Sequence, residues 1–167
     1  MGTQVVSPVL EARTVREEFW NEDGLIQFPV EPADIAERLG IDVLVAPLEG
    51  NTAGFILREG EGRPQIVVNA KDSAVRQRFT LAHELGHYMQ HREDDLIAYV
   101  DKRDELSTLG ASPSEIWANQ FAAELLMPTS VVKKWWAEGR PSEEMRERLG
   151  VSAQAMAFRL KNLGLLA

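Results

Sequence analysis

The stretch "RFTLAHELGHYMQH", Arg78 to His91, constrains this chain more than any other. It carries all three histidines, and His83-Glu84-Leu85-Gly86-His87 has the pattern H-E-x-x-H. The spacing has a chemical use only on a helix. Residues four apart share a helix face, so His83 and His87 can aim their imidazoles at one ion. Neutral imidazole is a good zinc ligand. Glu84, about 100° further round, can reach a water beside the metal without taking a coordination position. The same three residues can also sit on an ordinary helix as core or surface groups. Their place in a strongly amphipathic helix that follows an expected sheet favours the metal site.

The chain has no cysteine, which excludes disulfides and thiolate ligands. A metal must therefore be held by histidine and carboxylate. A catalytic zinc wants a third protein ligand and one open position. His91 lies eight residues after His83, rotated by about 80° on a continuous helix, so it is expected outside the metal's immediate ligands. Glu115, 28 residues after His87, can supply the third ligand from a second helix. Asn119, four residues on, can then bond the free ring nitrogen of a zinc histidine. Two alternatives stay open. Ser112-Pro113-Ser114-Glu115 reads S-x-x-E, so Glu115 can instead complete a capping box. Glu124, deeper in the same helix, is a rival ligand whose usual fate is a solvated face or a buried salt bridge.

The expected fold is α+β: a small three-stranded, mainly antiparallel sheet packed against helices. The runs "IDVLVAP", "AGFILRE" and "PQIVVNA", separated by the turn-rich "LEGNT" and "GEGR", read as its strands. Helices are expected over 8–20, over "VEPADIAERLG", from about Ser73 to His91 with Asp72 or Ser73 as its cap, and over "SPSEIWANQFAAELLMP". Val75, Phe79, Ala82, Gly86 and Met89 mark the buried face of the third. The segment "REDDLIAYVDKRDELSTLGAS" is charged and weakly periodic and takes no assignment; it reads as a lid or as an ordinary loop. The domain reading is a metallopeptidase domain over 1–128 and a C-terminal helical, helix-turn-helix-like extension over 129–167, packed on it.

These pieces together closely resemble the ImmA/IrrE family of metallopeptidases. The likeness runs over about residues 28–167 and is carried by "VEPADIAERLGIDV", "PQIVVNA", "RQRFTLAHELGHYMQH", "EIWANQFAAELLMP" and "VSAQAMAFRLKNLGLL". The resemblance implies a gluzincin-like zinc protease, with His83, His87 and Glu115 holding one Zn2+ and Glu84 as general base. It also implies a regulatory role beside a helix-turn-helix repressor, or in a toxin–antitoxin pair. Trp117 stands where that family often has a charge.

Net charge is −8. From Thr129 onward there are seven basic and four acidic residues, giving +3 and leaving −11 for the remainder. An acidic body suits a basic protein partner and argues against a nonspecific nucleic-acid-binding surface. The N-terminal residues lack a signal-peptide pattern, and no run approaches the roughly 20 apolar residues that span a bilayer. The expectation is a cytoplasmic protein with no membrane partner. The favoured activity is hydrolysis of a peptide bond in one regulatory protein, with Glu84 moving the proton and Tyr88, Tyr99 or His91 as candidate oxyanion donors. The alternatives are a metal-dependent toxin held by an antitoxin, and a non-catalytic DNA- or protein-binding regulator.

Overall fold

Caps and glycines punctuate the chain much as the pattern predicts. The computed structural model describes residues 6–103 and 112–167. Helix α1 (Pro8–Phe19) starts at Ser7, whose hydroxyl accepts from the Leu10 amide. Helix α2 (Pro32–Arg38) opens on a proline already suited to the first turn. It gives way to Gly40 at φ 79°, a left-handed position that glycine takes without strain. Strands β1 (Asp42–Ala46), β2 (Thr52–Glu59) and β3 (Gln65–Asn69) follow, then the long helix α3 (Ala74–His91). Ser73 caps α3 by accepting from the Arg76 amide.

The sheet departs from the expected three mainly antiparallel strands. Among the described residues it has four strands in the order β1-β3-β2-β4, and β1 runs parallel to β3. Turn-bounded runs in sequence read naturally as a meander, but β3 inserts between β1 and β2. It does so because Ile66, Val67, Val68 and Asn69 are all buried, an unbroken run suited to a central strand. Buried Asn69 locks the junction. Its Oδ1 accepts from the Leu48 and Lys71 amides, and its Nδ2 donates to the Thr52 carbonyl. The fourth strand, β4 (Leu96–Lys102), comes from the unassigned segment and pairs antiparallel with β2 at the sheet edge. Residues 104–111, the rest of the lid-or-loop reading, lie outside the described residues.

The remaining helices are α4 (Pro113–Leu126), α5 (Thr129–Ala137), α6 (Ser142–Leu149) and α7 (Ala153–Asn162). Helix α3 lies between the sheet and α4, so residues 80–87 are buried all round. Val132, Trp135, Met145, Leu149, Met156 and Leu160 from α5–α7 join the same hydrophobic cluster as Ile56, Leu85 and Phe121. Among the described residues, no helix is long and apolar enough to cross a membrane.

Helix α3 approaches the backbone of α4 closely at Gly86. A Cβ there would sit 2.9 Å from Ala118 Cα and 3.1 Å from Ala118 O. That clash is with backbone, which no rotamer change relieves. Gly86→Ala gains about 1 kcal/mol of helix propensity but meets an overpacking cost near the top of the usual range, about 3 kcal/mol. We expect a net loss of about 2 kcal/mol in urea unfolding; equal or greater stability would refute the close-packed contact.

Candidate metal centre

The antiparallel run of α3 against α4 sets two helix faces opposite each other, residue against residue. His83 faces Asn119, Gly86 faces Ala118, and His87 faces Glu115. Asn119 Oδ1 lies 2.8 Å from His83 Nδ1, which therefore donates and leaves Nε2 as the free ligand atom. Glu115 spans both imidazoles, with Oε2 2.9 Å from His83 Nε2 and Oε1 3.1 Å from His87 Nε2. Ser112 does cap α4 through the Glu115 amide, but the Glu115 side chain turns to the histidines instead of closing a capping box.

Sequence reasoning missed a fourth member. Asp101, on β4, is fully buried with Oδ1 3.1 Å from His83 Nε2 and Oδ2 3.5 Å from His87 Nε2. Donor atoms of His83, His87, Asp101 and Glu115 all lie within 4.8 Å of one another. The available signal was strand alternation, which puts Ile97, Tyr99 and Asp101 on one face. It went unread because the opposite face carries the exposed apolar residues Leu96 and Val100.

The donor set fits zinc. Two imidazoles and two carboxylates suit that ion. The four histidine–carboxylate separations are 2.9 to 3.5 Å, each carboxylate turning one oxygen to His83 and the other to His87, so both lie within reach of one ion between the imidazoles. Nε2 of His87 and both oxygens of Asp101 are buried without an aligned hydrogen bond, so they converge on a point rather than on one another. Both Glu84 oxygens are in the same condition beside them.

The other expected residues fall elsewhere. His91 is outside the cluster, bound to Asp94 through Nδ1 and to Ser114 Oγ through Nε2, each at 3.0 Å. Tyr99 stacks on His87 at 4.4 Å and on His91 at 4.7 Å between ring centroids. Tyr88 packs, partly buried, against the hydrophobic core. Glu124 is buried at the far end of α4, paired with Arg159 and bonded to Thr129.

Electrostatically the cluster calls for a cation. Burial alone would lower the His83 pKa, but the Asp101 and Glu115 carboxylates outweigh it and raise it to about 9. Burial opposes ionisation of Asp101 and Glu115 too, yet the facing imidazoles hold both below the usual carboxylate range. Glu84 is pushed well up, first by burial and then by the nearby Asp101. A pKa raised on folding contributes stability that is full below the unfolded value, here 6.5, and lost as pH climbs through the folded value. Glu84 adds to the same slope from lower pH. In a chelator, the melting temperature of the metal-free chain should therefore fall between pH 6.5 and about 9, and a flat or rising profile would contradict this. Zinc, by displacing the proton, should remove the His83 share of that slope.

With this geometry in view, comparison with known proteins is direct. The family model for the IrrE N-terminal-like domain (peptidase M78) matches residues 36–161. The chain is similar to the radiation response metalloprotease IrrE of Deinococcus radiodurans, 33% identical over 128 residues, which is 72% of this chain and 37% of that protein. Similarity to IrrE of Deinococcus deserti is 32% over 127 residues, 70% of this chain and 45% of the relative. Similarity to the metallopeptidase ImmA of Bacillus subtilis is 23% over 114 residues, 67% of this chain and 65% of the relative. The chain thus spans less than half the length of either Deinococcus protein. A match over most of the chain, through both helices that carry the cluster, places it in the ImmA/IrrE family of metallopeptidases.

Proposed function

We propose that the protein is a zinc metalloendopeptidase that hydrolyses a peptide bond in one specific regulatory protein, a helix-turn-helix repressor. The observation that carries this reading is the convergence of His83, His87 and Glu115 with Glu84 buried beside them. Relatives named as metalloproteases support the reaction class. A bound zinc supplies Lewis acidity, polarising a carbonyl oxygen and making water acidic near pH 7.

The chain's own residues do the rest. Asn119 fixes the tautomer and orientation of His83, so Nε2 presents its lone pair to the site. Glu84 needs to be ionised to act, and a cation in the cluster favours that form against the burial that now opposes it. Its carboxylate takes a proton from the attacking water. As the amide C–N bond breaks, the same carboxyl returns that proton to the leaving amine. Tyr99, stacked on the ligand candidate His87, is the better placed oxyanion donor, since Tyr88 packs against the hydrophobic core. A net charge of −8 steers a basic DNA-binding protein towards the molecule.

Plasma mass spectrometry and cleavage assays on the candidate repressor test the reading together. Wild type and Glu84→Gln should each hold close to one zinc per chain, and Glu115→Ala should lose most of it. Glu84→Gln should slow cleavage by roughly 10²–10⁴-fold, the usual contribution of a positioned base. Cleavage by Glu84→Gln at the wild-type rate would overturn the assignment of the base.

A further inference from the structure

A catalytic zinc keeps one position free of protein, whereas a structural zinc is closed by four protein ligands. The cluster here has the closed count. Asp101 stands on the Nε2 side of both imidazoles, with Oδ1 3.1 Å from His83 Nε2 and Oδ2 3.5 Å from His87 Nε2. His83, Glu84, His87 and Asp101 are all fully buried. Two cavities of about 220 and 240 Å³ lie elsewhere, and no residue of the cluster lines either. Four protein donors leave no coordination position for a peptide carbonyl while Asp101 stays in place.

Asp101 is nevertheless held differently from the other donors. His83 is braced by Asn119, and Glu115 sits in the capped first turn of α4. Among the described residues no amide or hydroxyl donor is bonded to either oxygen of Asp101; it also faces the Glu84 carboxyl, a group that gives up its own proton when it acts as base. Among the described residues its strand is at the sheet edge and bonded to β2 alone. Its cross-strand neighbour is Gly54, which offers no side chain to support it, and the β2–β4 register slips between Thr52 and Gly54, opposite this point. Permanent ligands are usually fixed by outer hydrogen bonds, and irregular edge pairings are where strands re-aim a side chain.

We propose that Asp101 is a displaceable fourth ligand: it closes the metal shell in the resting fold and must swing aside with β4 before a peptide can bind. This rests on the metal-centre reading above, and the test separates the two. Cobalt(II) is loaded into wild type, Asp101→Ala and Asp101→Asn, and acetohydroxamate, which needs a free coordination position, is titrated while the visible d–d bands are followed. If the open form is a tenth of the population or less, wild type binds the probe at least ~10-fold more weakly than Asp101→Ala. Both variants should still hold about one cobalt, and Asp101→Asn, which keeps the side-chain size, serves if alanine disturbs folding. Equal probe affinity in wild type and variants overturns the proposal, because the position would already be open. So does loss of cobalt from variants whose circular dichroism matches wild type, because Asp101 would then be a permanent ligand. Failure of every protein, wild type included, to take up cobalt overturns the metal centre itself and this proposal with it.

Discussion

The contact between Gly86 and Ala118 is the constraint on which the site depends. Two helix backbones meet there with no side chain between them on the α3 side, and an added Cβ would fall 2.9 Å from the Ala118 Cα. At that separation short polar side chains can reach across. One turn before Gly86, His83 meets Asn119; one residue after it, His87 meets Glu115. Further along, Gln90 donates to the Ser114 carbonyl and His91 bonds the Ser114 hydroxyl. The line of polar contacts thus follows the helix seam, and a wider seam would leave Glu115 short of two imidazoles at once.

Helix α4 carries a half-buried glutamate, Glu115, near one end and a buried one, Glu124, near the other, and the two differ in how they are satisfied. Glu124, near its C-terminus, has Arg159 in direct contact and Thr129 bonded to its carboxylate, with Arg16 3.9 Å away. Two guanidiniums from α1 and α7 neutralise one carboxylate, and Arg16 and Arg159 also donate to the Glu124 and Met127 carbonyls. The Glu124 carboxylate is thereby satisfied, although Arg16 Nε stays buried without a partner among the described residues, and removing one partner would leave a buried charge alone. Around Glu115 the balance is reversed. Three carboxyl groups, Glu84, Asp101 and Glu115, face two imidazoles, and several oxygens lack any hydrogen bond. Buried charge left unfinished in this way is costly to the fold, and a bound cation would complete it. The same chain that satisfies one end of α4 internally leaves the other for a ligand.

Legibility followed the range of the interactions involved. Helix boundaries were readable because Ser73, Ser112 and Ser152 cap through amides three residues away, a purely local signal. His83, His87 and Glu84 were readable because helical spacing brings them together within one turn. The sheet was not, because the parallel pairing of β1 with β3 depends on a strand that comes later in sequence sliding between two earlier ones. Nothing in the turn residues distinguishes that arrangement from a meander. β4 was least legible of all. Its inward face ends in an aspartate and its outward face shows Leu96 and Val100, so polarity contradicts burial at the position that matters most. The contradiction has a physical source: Asp101 is buried for the sake of the histidines it faces, not for the core.

The C-terminal helices bear on how the surface charge should be read. Their +3 balance resembles a basic patch only until the side chains are followed. Arg159 is buried against Glu124. Arg146 pairs with Glu143, Arg140 with Glu138 and Glu144, and both Arg140 and Arg148 lie over the face of Trp135. These contacts direct four of the seven basic groups towards the protein's own acids and ring faces. A phosphate backbone is bound by cations that release counterions, and guanidiniums already engaged in this way contribute less to such binding. Arg78 of α3 also donates to the Gly150 carbonyl, joining the α6–α7 turn to the helix that bears His83 and His87. The tail's engaged arginines are thus paired mostly within the tail, with Arg159 reaching Glu124 on α4, and the acidic remainder sets the field that an approaching partner meets.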